Sequence, residues 1–111
     1  MPGYDKSNDI WVLIPKKFAN DPDMLYLCMD HEIVHINDFA SGRMLTWTNT
    51  LGLNLAKEMT EVRAYSRSIR VSNELFKGKY IFDNPGSPYF KALNSCNSNG
   101  IYPLKYDFPA K

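Results

Sequence analysis

The residues best suited to chemistry in this sequence are its two histidines, because the 111 residues contain no others and these two stand close together. They belong to the pentapeptide His31-Glu32-Ile33-Val34-His35, which has the pattern HExxH. On an α-helix, residues i and i+4 lie on one face, so both imidazoles can converge on one cation. The glutamate at i+1 reaches a water molecule bound to that cation from the side. The spacing therefore predicts a metal site with a carboxylate base beside it.

A catalytic zinc site needs a third protein ligand and leaves the fourth position to water. One class of zinc proteins supplies this ligand directly after the motif, as HExxHxxGxxH or HExxHxxGxxD, but here Asp38 replaces the glycine and Ser41 occupies the final position. The other pattern supplies a glutamate from a second helix. Glu58 and Glu61 are both candidates, since they are three residues apart on one predicted helix face. We favour Glu61 and keep Glu58 as the alternative ligand.

Two helices must position these side chains. Asp21 as N-cap, followed by a proline, predicts a helix over residues 22–40 that Gly42 ends. Its apolar residues lie on both flanks, so we expect it to be sandwiched inside the domain. Residues 43–50 are predicted to be a loop. Residues 51–76 lack proline and are spaced for one long helix or two shorter ones.

The rest of the chain predicts one strand and a loop-rich C-terminal region. Residues 9–15 form a β-favouring run, which indicates a strand. From residue 79 onward the sequence is rich in turn-forming residues, with one short helix expected over residues 88–94. Together these elements predict an α+β fold. In that fold a small sheet, ending in an edge strand, borders a cleft beside the two helices.

Composition argues against several function classes. Thirteen basic and twelve acidic residues give a formal net charge of +1, so no basic surface for nucleic acid is expected. No apolar stretch approaches the roughly 20 residues of a membrane span, and the N-terminus lacks the features of a signal peptide. We therefore expect a soluble chain with no membrane span. Cys28 and Cys96 are expected to be reduced thiols, although a single bridge between them is an open alternative.

Chain length suits one domain, residues 1–111. The HExxH motif nevertheless comes early, with one convincing strand before it. Together with the resemblance described next, this early position implies either a shortened domain of that class or the C-terminal part of a longer protein.

The motif combination resembles a known class of enzymes. HExxH followed by a helical ExxAY, here residues 61–65, resembles the glutamate-zincin metallopeptidases. Residues 31–42 taken together with 61–65 are similar to small metallopeptidase domains at the C-termini of bacterial polymorphic, Rhs-type toxins and secretion-system effectors. The resemblance covers about residues 9–70. It implies a minimal zincin-like fold, with an active-site helix and a ligand-bearing helix.

The resemblance also implies roles for individual residues. Zn²⁺ would be held by His31, His35 and Glu61, and Glu32 would be the catalytic base. The thermolysin-like version of the pattern has an aspartate four residues after the ligand glutamate, whereas this sequence has Tyr65 there.

Because of that departure, the pattern does not identify which residues support the ligands. Asp38 is a candidate to accept a hydrogen bond from a ligating imidazole. Candidate donors to the developing oxyanion are Tyr65, Arg63, Tyr102 and Tyr106.

The function that the resemblance implies is zinc-dependent hydrolysis of peptide bonds. We expect a toxin or effector domain that is secreted or delivered into a target cell as part of a larger bacterial protein. Its partners would be a protein or peptide substrate and a cognate immunity protein. One alternative is a catalytically inactive zincin-like module that binds a protein partner, against which the intact Glu32 argues. The other is a zinc amidase that acts on cell-wall peptide.

Overall fold

The structure is a computed structural model, and it describes residues 2–4, 10–12 and 20–103. Residues 20–103 contain four helices, namely α1 (Pro22–Ala40), α2 (Arg43–Leu51), α3 (Leu53–Leu75) and α4 (Pro88–Ser98). Ahead of them, β1 (Pro2–Tyr4) and β2 (Ile10–Val12) pair antiparallel. The long helix α3 packs against each of the other three helices. The described part of the chain is therefore a helical assembly built around α3.

The predicted α+β fold is wrong. The layers of the described structure are helices, and the two strands of three residues each form a short ribbon instead of a sheet layer. The predicted strand over residues 9–15 is reduced to Ile10–Val12, and residues 9 and 13–15 lie outside the described residues. Helices α1 and α3 pack against each other and against α2, and α3 also packs against α4. In the described part of the chain, the inner side of the helix that carries HExxH is therefore covered mainly by other helices.

Helix α1 confirms its predicted bounds. The Asp21 carboxylate accepts a hydrogen bond from the backbone N–H of Met24 at 3.1 Å, and a proline occupies the first helical position. These local contacts satisfy backbone donors that a helix start leaves without intrahelical partners. At the other end, Gly42 has a φ of +82°, which a residue without a Cβ adopts at no steric cost. The chain turns there and α2 begins.

Helix α2 corrects the predicted loop over residues 43–50. Three threonines lower its intrinsic helix propensity, and the hydroxyl groups of Thr48 and Thr50 each compete for the carbonyl oxygen four residues earlier, both at 2.8 Å. Met44 is 5% exposed and anchors the helix to the core. Tertiary packing therefore outweighs propensity in this segment. Gly52, with a φ of +89°, separates α2 from α3.

The expectation that α1 is sandwiched between other elements is also wrong. Its outer side carries Tyr26, Met29 and Ile33, which are 45%, 47% and 49% exposed. The inner side, by contrast, buries Leu27 and Val34. Helix α1 is thus covered mainly on the side that faces α3.

The single long helix α3 decides between the two alternatives for residues 51–76, and it runs antiparallel to α1. Contacts pair His35 with Thr60 and His31 with Ser68, so positions late in α1 face positions early in α3. This register determines which side chains of the two helices can meet.

Helix α4 extends the predicted short helix from residue 94 to Ser98. Its Tyr89 and Ala92 pack against Val62 of α3 in a buried cluster. Cys96 is buried on α4 and Cys28 is half-buried on α1, and in the described part of the chain these cysteines do not form a disulfide.

The segment between α3 and α4 is irregular, in agreement with its turn-rich sequence. Tyr80 anchors it in two ways. The Tyr80 hydroxyl donates to both carboxylate oxygens of Asp21, at 2.7 and 2.8 Å, and the Tyr80 backbone exchanges hydrogen bonds with the Ser72 hydroxyl. The segment is therefore held across the start of α1. Within residues 20–103, none of the helices combines the length and the apolar character that crossing a bilayer requires.

Candidate metal centre

The structure brings the two histidines of α1 together with Glu61 of α3. The two Nε2 atoms of His31 and His35 lie 3.1 Å apart. The Oε1 atom of Glu61 lies 2.5 Å from Nε2 of His35 and 3.6 Å from Nε2 of His31. Two imidazole nitrogens and one carboxylate oxygen therefore converge on one point, and these are ligand types that zinc accepts.

Glu32 lies beside this convergence. One ligand atom from each of His31, Glu32 and His35 can be chosen so that all three lie within 4.8 Å of one another. Glu32 is half-buried and lines the cavity described below. Its carboxylate is thus placed next to the ligand atoms and faces the space where a reactant would lie.

Glu58 is not brought to the histidines. In the described part of the chain it forms no hydrogen bond or ion pair with either imidazole, whereas Glu61 approaches both. Because α1 and α3 are antiparallel, a position one turn before Glu61 lies one turn beyond His35 along α1. Glu58 instead lies near α4. Burial raises the pKa of the Cys96 thiol, and the negative charge of Glu58 raises it further.

Glu61 is ionised in this setting. Burial by itself would raise its pKa, but hydrogen bonds with His31 and His35, together with their charges, outweigh burial and lower the pKa to about 2. A carboxylate in the charged form is what a cation requires of its ligand. The three side chains thus fit a divalent zinc ion by atom type, by convergence and by charge.

Asp38 does not contact an imidazole directly. It is 0% exposed and accepts hydrogen bonds from Nε of Arg43 at 3.0 Å and from Nε of Arg63 at 3.1 Å. Its Oδ2 atom also accepts from the Thr60 hydroxyl at 2.8 Å, and that hydroxyl lies 2.9 Å from Nδ1 of His35. The predicted hydrogen bond from a ligating imidazole to Asp38 is therefore replaced by a chain through Thr60.

Sequence reasoning missed Thr60 and a second hydroxyl, that of Ser68. Ser68 is 2% exposed, and its Oγ lies 3.5 Å from Nδ1 of His31. Hydroxyl residues are common on helices, so neither position is distinctive by itself. The sequence signal for these two hydroxyls is their spacing from Glu61 along α3. Thr60 directly precedes Glu61, and Ser68 follows it by seven residues, or two helical turns.

Tyr65 is the candidate oxyanion donor that the structure places at the site. Its ring meets the His31 ring edge-on, with centroids 4.5 Å apart. Of the other candidates, Arg63 is bound to Asp38, Tyr102 is 76% exposed, and Tyr106 lies outside the described residues.

The Tyr65 phenol keeps its proton at neutral pH. Burial raises its pKa above the ordinary value, and the charges of Glu61 and Glu32 and the nearby Cys28 raise it further. The hydroxyl is therefore available as a hydrogen-bond donor.

A cavity of about 580 Å³ lies against the imidazole cluster. Helix α1 contributes His31 and Glu32 to its wall, α3 contributes Tyr65, and the segment over residues 81–88 closes the opposite side. Most of the remaining wall is apolar, including Leu27. This size and character are typical of pockets that bind small ligands or a side chain of a larger one.

No protein-family model, no curated protein and no solved structure matches this chain. What the site can do is therefore argued from its atoms. Three convergent ligand atoms, a carboxylate beside them, a protonated phenol and an adjoining cavity form the combination that metal-assisted hydrolysis uses.

Proposed function

We propose that this protein is a zinc-dependent peptidase. The observation that carries the proposal is the convergence of His31, His35 and Glu61, drawn from two helices, beside the carboxylate of Glu32. When bound there, zinc supplies a Lewis acid that polarises a carbonyl oxygen and acidifies water.

Residues of the chain transfer the proton, stabilise the developing negative charge and bind the substrate. Glu32 takes the proton of the attacking water and passes it to the leaving amine nitrogen, so the peptide C–N bond breaks with the proton balanced. Tyr65 donates a hydrogen bond to the carbonyl oxygen as negative charge develops on it. The apolar part of the cavity wall takes an apolar side chain of the peptide.

The biological setting is the second part of the proposal. The likeness of residues 31–42 and 61–65 to toxin and effector domains supports a protein substrate in a target cell, delivery as part of a larger bacterial protein, and a cognate immunity protein that blocks the cleft. A cell-wall amidase would use the same residues on a different amide. A panel that includes an unfolded protein and a cell-wall peptide separates these two substrates.

The test compares the wild-type chain with Glu32→Gln. We expect about one zinc per chain in both proteins by elemental analysis, because the substitution leaves the three ligands in place. Cleavage of the protein substrate should fall about 10²–10⁴-fold in Glu32→Gln, the range for loss of a general base. Glu74→Gln, on the exposed part of α3, is the matched control and should keep full activity. A wild-type chain that stays free of zinc when supplied with it, or full activity in Glu32→Gln, contradicts the proposal.

A further inference from the structure

A buried chain of hydrogen bonds runs from His35 through Thr60 to Asp38. The Thr60 hydroxyl lies 2.9 Å from Nδ1 of His35 and 2.8 Å from Oδ2 of Asp38. The three residues are 0%, 1% and 0% exposed. Water therefore does not substitute for any link, and each proton in the chain has a defined place.

The position of the Thr60 proton follows from the charges around it. A hydroxyl has one proton to donate and lone pairs with which to accept. Asp38 is paired with the guanidinium groups of Arg43 and Arg63, and hydrogen bonds to an ionised acceptor are stronger than those to a neutral one. Thr60 therefore donates to Asp38 and accepts from His35. It follows that Nδ1 of His35 carries a proton and that Nε2 is the ring nitrogen that faces Glu61.

The same reasoning applies, more weakly, to His31. The Ser68 hydroxyl donates to the carbonyl oxygen of Ala64 at 3.1 Å, so toward Nδ1 of His31 it can only accept. At 3.5 Å this contact lies at the outer limit of a hydrogen bond. With both Nδ1 atoms turned to the hydroxyls, both Nε2 atoms and one carboxylate oxygen meet at the point where a metal ion would be held.

We propose that Thr60 is a positioning residue that connects Asp38 to His35 and sets which ring nitrogen of His35 faces the metal. This role rests on the proposed zinc site and deepens it. Ser68 performs the corresponding task for His31 with a weaker contact. The second helix thus supplies one ligand, Glu61, and also the two hydroxyls that orient the other ligands.

The first experiment needs no metal. Nitrogen NMR of the imidazole rings in the metal-free wild-type protein reports which ring nitrogens carry protons. With two histidines in the chain, the spectrum is simple to assign. We expect a protonated Nδ1 on His35 in the wild-type chain, and in Thr60→Ser as well. A bare Nδ1 on His35 overturns the proposal whether or not the chain binds zinc.

The second experiment measures zinc affinity by competition with a chelator. Thr60→Val keeps the shape of the side chain and removes the hydroxyl, and we expect it to weaken zinc binding about 10–100-fold, the range typical of residues behind metal ligands. Thr60→Ser keeps the hydroxyl and should restore affinity to within a few-fold of wild type. Ser68→Ala should have a smaller effect than Thr60→Val, because its contact is longer.

Controls separate this role from folding and from the proposed function. Circular dichroism establishes that each variant is folded, and if Thr60→Val is not, the NMR result and Thr60→Ser decide. Equal zinc affinity in folded Thr60→Val and wild type overturns the proposal. A wild-type chain that binds no zinc refutes the zinc peptidase, whereas the protonation of Nδ1 is still measured independently by NMR.

Discussion

Two polar clusters lie between α1 and α3, and they balance their charges differently. We call them the imidazole cluster, formed by His31, His35 and Glu61, and the Asp38 cluster, formed by Asp38 with its Thr60, Arg43 and Arg63 partners. In each, a carboxylate from one helix meets polar side chains of the other. In the Asp38 cluster, two guanidinium groups and a hydroxyl donate to one fully buried carboxylate. Each oxygen of the Asp38 carboxylate therefore accepts hydrogen bonds from two of these donors.

Within the described residues, the imidazole cluster contains no arginine or lysine to balance its carboxylate, and it adjoins a cavity. Glu61 is ionised, and the Nε2 atoms of both histidines face it. Buried polar groups need partners, and a carboxylate whose partners are imidazole nitrogens can be joined to them by a metal ion in place of a proton. The comparison teaches that a carboxylate held by arginines fastens the two helices together, whereas one held by imidazoles beside a cavity is suited to binding a metal. Each prediction below changes one of the two clusters.

The largest effect on stability is expected from the Asp38 cluster. Replacing Asp38 with alanine leaves Arg63, whose side chain is 14% exposed, without its buried counter-charge. Removing one member of a buried ion pair typically costs about 3–5 kcal/mol of unfolding free energy. Urea unfolding of the metal-free Asp38→Ala protein measures this loss.

The matched control for that measurement is Glu74→Ala. Glu74 pairs with Arg70 at 2.7 Å on an exposed part of α3, so its removal should cost only about 0.3–0.5 kcal/mol. Similar losses in the two variants would show that the Asp38 cluster does not fasten the helices.

The imidazole cluster should respond in zinc affinity more than in stability. Glu61→Ala removes a direct ligand, and we expect zinc affinity to fall by more than about 100-fold, since even residues behind the ligands contribute 10–100-fold. In the metal-free protein the same substitution removes a carboxylate that is 29% exposed, so it should cost less stability than removal of the fully buried Asp38. Chelator competition and urea unfolding on the same samples measure both quantities.

Glu58→Ala is the matched control, because it deletes the same side chain one turn earlier on α3. It should bind zinc within a few-fold of wild type. Equal losses of affinity in Glu58→Ala and Glu61→Ala would remove Glu61 as the distinguishing ligand of the second helix.

Features set by short-range signals were predictable from the sequence. The bounds of α1 follow from the Asp21 cap and from Gly42, both of which act within one helical turn. The convergence of His31 and His35 follows from helical periodicity. The fold class did not follow, because what covers a helix is a tertiary property. Residues 43–50 have weak helix propensity and still form α2, since Met44 is buried in the core.

The partners of the site depend on how two distant helices align. Glu58 and Glu61 share a helix face in the sequence, and only the antiparallel register of α1 and α3 brings Glu61 to His35 and leaves Glu58 a turn away. The same register places Thr60 between His35 and Asp38, which no local pattern indicates. That Glu61 ligates zinc stays a prediction, whereas its proximity to both imidazoles is a property of the structure.

The smallest effect should separate the two arginines of the Asp38 cluster. Arg43 is 42% exposed and makes one contact with Asp38, so Arg43→Ala should cost about 0–1 kcal/mol, as exposed ion pairs do. Arg63 is 14% exposed, contacts both carboxylate oxygens and lies 6.0 Å from the Trp47 ring, so Arg63→Ala should cost about 1.5–3 kcal/mol. Urea unfolding of both variants gives the order of the two losses.

Arg63→Lys keeps the charge but loses the planar group, so its loss of unfolding free energy should fall between those of Arg43→Ala and Arg63→Ala. If Arg43→Ala lowers the unfolding free energy more than Arg63→Ala does, Asp38 is stabilised mainly by its exposed partner. The contrast between the Asp38 cluster, which fastens the helices, and the imidazole cluster, which binds a metal, then no longer holds.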